Sequence, residues 1–230
     1  MKTLHFLCAG AAQGVMRALQ ADFEAAHGVK LQGRFGAVGA MKEALLAGEP
    51  CELMVSTAAM VEALAAEGRL RADARAPLGR VRTGVAVRSG RLLPDVATPA
   101  ALTAVLRAAS AIYFPDPERA TAGIHFARVL RELAIHDELQ PRFRTFPNGA
   151  TAMRELAADA SDGAIGCTQV TEILYTEGVV LVGLLPPQFE LATAYTAVLS
   201  PSASAEAAAL LALLGGPATQ ALRAGAGFEF

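Results

Sequence analysis

Residues 4–35, LHFLCAGAAQGVMRALQADFEAAHGVKLQGRF, decide the fold class. Residues 4–7 form a short apolar run of strand length. Residues 13–27 then place Val15, Leu19, Phe23 and Ala26 on one face at helical spacing, and Gly28 marks the helix exit. A second apolar run, 29–35, follows at once. Strand, helix and strand in so short a stretch point to parallel α/β structure, because parallel neighbours need a crossover between them and a helix is the usual one.

The same rhythm extends outward. A helix over 38–47 is closed by Gly48, a strand over 53–56 follows, and a helix over 58–66 is closed by Gly68. Residues 81–87 alternate as a strand, and 99–108 read as a helix with Pro99 in its first turn. Residues 111–114 resume the sheet, 122–133 and 150–158 are amphipathic helices, and 143–146 read as an edge strand between them. A buried strand over 164–168 leads into a short helix over 170–174. Two β-rich segments, 179–184 and 192–199, flank Pro186-Pro187, and 203–213 and 217–224 are helical.

Composition bounds the function. The 230 residues are 53% hydrophobic with a mean hydropathy of +0.36, enough for a core and incompatible with disorder. This length suits either one large domain or two domains of roughly 100 residues. Lys and Arg total 20 against 22 Asp and Glu, and no basic run is present, so nucleic acid is not an expected partner. The longest charge-free stretch, 207–222, is broken by Gly215, Gly216 and Pro217, and nothing reaches the roughly 18 apolar residues of a membrane span. The apolar run after Lys2 is too short for a signal peptide, so the chain as written reads as cytoplasmic, or as periplasmic if a leader was removed. Cys8, Cys51 and Cys167 are odd in number and widely spaced, which argues against structural disulfides.

Known catalytic signatures are missing. There is no G-x-x-x-x-G-K-[ST] and no full G-x-G-x-x-G, so nucleotide binding has no motif. No H-x-x-x-H, C-x-x-C or H-E-x-x-H spacing occurs, so neither a metal nor another cofactor is expected. Ser56 lacks a G-x-S-x-G setting.

Six segments, in order, carry a resemblance to a known family. They are FLCAGAA at 6–12, FEAAHGV at 23–29, FGAVGAM at 35–41, AGEP at 47–50 with LMVSTA at 53–58, DP at 116–117 with AGI at 122–124, and GPATQALRAGAGF at 216–228. Together they resemble the periplasmic molybdate-binding proteins, the type II solute-binding proteins of ABC importers. The resemblance implies a two-lobed α/β fold of the type II periplasmic-binding-protein kind, each lobe a mainly parallel sheet flanked by helices. Lobe one would be 1–80 plus 195–230 and lobe two 85–185, with crossings near 80–85 and 184–195. It also implies a small anion held in a cleft where the lobes close, at the carboxyl ends of strands, where helix N-terminal amides suit negative charge. The matching positions are Gly10, Ala11, Ala12, Gly36, Ala37, Val38, Ser56, Thr57, Thr121, Ala122, Gly123, Ala150, Thr151 and Gln169. The implied partners are the anion itself and, if the chain is exported, an ABC permease; the chain is expected to be a monomer.

The family holds its oxyanion with two serines and a tyrosine as well as amides. Ala11, Ala37 or Val38, and Gln169 stand at those positions here, so all three hydroxyls are missing. Charge-assisted hydrogen bonds of that kind are worth roughly 1.5 to 3 kcal/mol each. Their loss favours a small organic acid over molybdate. A second reading is an isomerase of a small polycarboxylate resembling aconitate isomerase, with His125, Asp116 or Glu172 carrying the proton; a third is a cytoplasmic ligand sensor. Against the isomerase, His125 reads as a solvated or core-rim histidine, Asp116 as a turn residue before proline, and Glu172 as part of a solvated helix face. Gln169 reads as an inner-wall residue open to solvent when no ligand is bound.

Overall fold

The computed structural model describes residues 2–230. The chain forms two compact units: unit 1 is the chain up to Val81 together with Thr193–Phe230, and unit 2 is Arg82–Ala192.

In unit 1, β1 (Lys2–Ala9) ends in a 3-10 turn, Gly10–Ala12, that feeds α1 (Gln13–His27). Then come β2 (Val29–Gly36), α2 (Val38–Leu46), β3 (Leu53–Thr57) and α3 (Ala58–Ala66). Gly28 closes α1 with φ +63°, a left-handed conformation that costs glycine nothing. β1 pairs in parallel with both β2 and β3, and the registers Ala9↔Gly36 and Cys8↔Val55 bring the three carboxyl ends level. β3 from Leu53 to Ser56 and β1 from Phe6 to Ala9 are buried without alternation, the pattern of strands covered on both faces. Leu7, Met41, Met54, Val61, Leu64 and Val198 form the core beneath α2 and α3.

β4 (Arg75–Arg88) runs from unit 1 into unit 2. After it follow α4 (Pro99–Ala108), β5 (Ile112–Pro115), α5 (Thr121–Glu132), α6 (His136–Leu139), β6 (Phe143–Phe146), α7 (Gly149–Ala158), β7 (Ile165–Gln169), α8 (Val170–Tyr175) and β8 (Val179–Leu184). β9 (Ala192–Leu199), α9 (Ala205–Gly215) and α10 (Gln220–Gly225) return to unit 1. In unit 2, β5 lies between β7 and β6, parallel to both, while β4 pairs antiparallel with β7 and β8. Phe114, Phe126, Leu102, Leu106 and Leu130 form the centre of the unit 2 core, all at most 1% exposed. Burying such side chains contributes roughly 1.5 to 3 kcal/mol each. The strand order, β2-β1-β3-β9-β4-β7-β5-β6 with β8 on β4, leaves β6 at an edge, as its sequence implied.

Two elements differ from the sequence reading. β4 begins at Arg75, six residues before the predicted start, because Pro77 and Gly79 resemble a turn while the backbone stays paired; Arg80 exchanges two hydrogen bonds with Glu229, of 2.7 and 2.8 Å. Residues 136–139, which lie between the predicted helix over 122–133 and the predicted strand over 143–146, form α6, whose four residues are too few to show a helical period. Among the described residues, no helix is long and apolar enough to cross a membrane.

Candidate functional site: strand-end amides in each unit

In unit 1 the level ends of three parallel strands each lead into a helical turn. Gly10, Ala11, Ala12, Ala37, Val38 and Ser56 are all buried there. No side chain caps the 3-10 turn at Gly10–Ala12, and none caps α2, whose N-cap is Ala37. Only α3 is capped, by Thr57 Oγ1 accepting from the Met60 amide at 3.3 Å. Ser56 is fully buried, and its hydroxyl has no hydrogen-bond partner in the protein. Helix N-termini present several amides that have no partner within the helix and carry partial positive charge, so this end suits an anion without any cationic side chain.

Unit 2 repeats the plan with a different filling. At the end of β5, Asp116 Oδ1 accepts from the amides of Glu118 and Arg119 at 2.8 and 3.1 Å, shaping the turn into α5. The α5 N-terminus has no side-chain cap. Ala122 and Gly123 are buried in its first turn, with Thr121 partly so. A Cβ on Gly123 would stand 2.2 Å from Pro115 O, so only glycine lets α5 sit this close to the end of β5.

The α7 N-terminus is already occupied. Asn148 Oδ1 takes the Thr151 amide at 2.9 Å, and the Glu172 carboxylate accepts from the Thr168 hydroxyl at 2.6 Å and from the amides of Gly149, Ala150 and Gln169. Burial pushes the Glu172 pKa up, while those four donors pull against the shift. Glu172 is therefore not on a solvated face: it is 5% exposed, because α8 turns its first turn inward under α7. Gln169 is likewise closed off, at 3% exposed, since it is the last residue of a fully buried strand.

Each of the three proton-carrier candidates is engaged in local structure. His125 is not solvated, being 5% exposed: its Nε2 lies 2.7 Å from Phe189 O, which requires that nitrogen to donate, and its Nδ1 accepts from Arg128 at 3.1 Å. Burial lowers its pKa. Asp116 is engaged in its turn and Glu172 in the α7 end. Burial pushes the thiols of Cys8 and Cys167 up strongly and that of Cys51 up to about 12, so none supplies a thiolate at neutral pH. Among the described residues no cluster of His, Cys, Asp and Glu is arranged to hold a metal.

Sequence reading misplaced Glu172 and did not single out Thr83. Glu172 is the third residue of α8 and bonds back to the amide of its N-cap, Gln169, the position at which an acid closes a capping box; that spacing was a usable signal. Thr83, buried in β4, gave none, since threonine in an apolar run reads as ordinary strand composition.

An α/β protein whose parallel strands end at helix N-termini has the strand-end architecture at which such folds commonly bind ligands. The family comparison agrees: residues 4–229 match the family described as bacterial extracellular solute-binding protein, and the chain belongs to that family. Its fold is similar to the periplasmic molybdate-binding protein of Azotobacter vinelandii, with a TM-score of 0.80, 19% identity, and 99% of each chain covered. It is also similar to the sulfate-binding protein SubI of Mycobacterium tuberculosis, with a TM-score of 0.73, 17% identity, and 99% of this chain and 86% of that one covered. A curated relative, the aconitate isomerase of a Pseudomonas species, is 27% identical over 219 residues, covering 91% of this chain and 80% of that protein.

Proposed function

We propose that the protein captures a small organic acid, with units 1 and 2 serving as the two lobes of a type II binding fold and the ligand's negative charge held by helix N-terminal amides. The observation that carries this reading is that α2 and α5, one in each unit, begin at strand ends with Val38, Ala122 and Gly123 buried in their first turns and with no side-chain cap. A tetrahedral dianion fits less well, because the hydroxyls expected at Ala11, Ala37 and Gln169 are missing and amides alone would have to replace them. Family membership supports an exported place of work, with an ABC permease receiving the ligand.

A second reading, an isomerase of aconitate or a similar polycarboxylate, is favoured by the 27% identical aconitate isomerase. His125, Asp116 and Glu172 speak against it here, since each is engaged in holding local structure. One titration set tests both. Calorimetry with cis-aconitate, trans-aconitate, citrate, malate, sulfate and molybdate should show micromolar binding of at least one carboxylate and much weaker molybdate. Tight molybdate binding with no carboxylate binding sinks the organic-acid reading. Interconversion of the aconitate isomers, followed by proton NMR, makes the protein an enzyme.

A further inference from the structure

Thr83 is 2% exposed, and its hydroxyl has no hydrogen-bond partner in the protein. A buried hydroxyl left unpaired costs roughly 1 to 3 kcal/mol, so valine would fill the same space at lower cost if packing were all that mattered. The backbone of Thr83 is fully used: its amide donates to Leu191 O and its carbonyl accepts from the Leu185 amide, both at 3.2 Å. The side chain alone lacks a partner.

Its direction follows from the register. Thr83 pairs directly with Gln169 and Val85 with Cys167, so all four side chains leave the sheet on one face. Val85, Cys167 and Ile165 pack there with Phe126, Val129 and Leu130 of α5. Thr83 and Gln169 continue these rows to the carboxyl end of β7. The first turn of α5 lies at that same end, because Gly123 sits against Pro115 O and Asp116 O where β5, parallel to β7, stops. The unpartnered hydroxyl, the Gln169 side chain and the uncapped α5 amides thus share one face and one end of unit 2.

We infer that Thr83 is a ligand-contacting residue, its hydroxyl donating to a carboxylate oxygen of the organic acid seated on the first-turn amides of α5. This rests on the organic-acid reading above. Threonine suits the role because its hydroxyl donates to a carboxylate and still has lone pairs for a ligand hydroxyl.

The test compares wild type with Thr83→Val and Thr83→Ser, using calorimetry with trans-aconitate, cis-aconitate and citrate, and thermal melting without ligand. Thr83→Val should melt at or above the wild-type temperature, because an unpaired buried hydroxyl is gone, and should bind the preferred carboxylate about tenfold more weakly. Thr83→Ser should bind within about threefold of wild type, since it retains the donor. Unchanged affinity in Thr83→Val overturns the inference and leaves the organic-acid reading standing. A lower melting temperature with unchanged affinity does the same and assigns the hydroxyl to the fold. If wild type binds none of the carboxylates, the organic-acid reading falls and this contact falls with it.

Discussion

The strand ends of unit 1 and unit 2 are built alike and filled differently. In unit 1 the N-terminus of α2 begins at Ala37 with no side-chain cap. In unit 2 the N-terminus of α7 carries an asparagine cap and a buried glutamate on four donors. The α5 end of unit 2 resembles α2, not its neighbour α7. Small-residue sequence at a strand end therefore does not by itself mark an open anion site. A carboxylate elsewhere in the chain decides whether the amides are available, and at α7 it has taken them.

The largest expected effect comes from removing the space that arrangement needs. A Cβ at Gly149 would stand 2.0 Å from both Glu172 Oε2 and Thr168 Oγ1, so Gly149→Ala should cost about 3 kcal/mol or more in chemical denaturation. The matching change in unit 1, Gly36→Ala, meets only the flexible tip of Met41 at 2.9 Å and should cost about 1 kcal/mol or less. Equal losses at the two positions would erase the contrast between the ends.

Glu172→Ala comes next, at roughly 2 to 3 kcal/mol, because it strands the buried Thr168 hydroxyl and the amides of α7. The pH dependence has a definite sign. Burial raises the Glu172 pKa in the folded protein above its unfolded value, so the folded state holds this proton more tightly. Its stabilising contribution is complete below the ordinary glutamate range and is lost as pH rises through the folded pKa. The stability of wild type relative to Glu172→Gln should therefore fall between pH 4 and the folded pKa, as read from denaturation midpoints across that window. A rise over the same window would mean that the four donors outweigh burial.

The smallest effect tests unit 1 directly. Ala37→Ser offers α2 the side-chain cap it lacks and should add about 1 kcal/mol, a rise of about 2 to 4 °C in melting temperature. No rise would show that the α2 amides are already satisfied.

Much of the fold was legible because helical faces and strand runs have different periods. Gln13–His27, Ala58–Ala66 and Pro99–Ala108 fall where the pattern placed them, since each has apolar spacing together with a glycine exit or a proline at its start. β4 was read short because its ladder partners, unlike its composition, are distant in sequence. At the site, the strand-end positions were legible from Gly10, Ala37, Ser56 and Gly123, but their occupancy was not. Which amides are taken depends on Glu172 and Asn148. The orphaned hydroxyl of Thr83 appears only once β4 and β7 are in register.

Glu172 amounts to a ligand on a tether. A free acid reaches a helix N-terminus in proportion to its concentration, whereas a carboxylate fixed three residues beyond the end of β7 is present at an effective concentration that dilution does not lower. The α7 amides are thus permanently loaded, at any level of solute outside. On the proposed function, scarcity of solute empties only the ends that carry no carboxylate of their own.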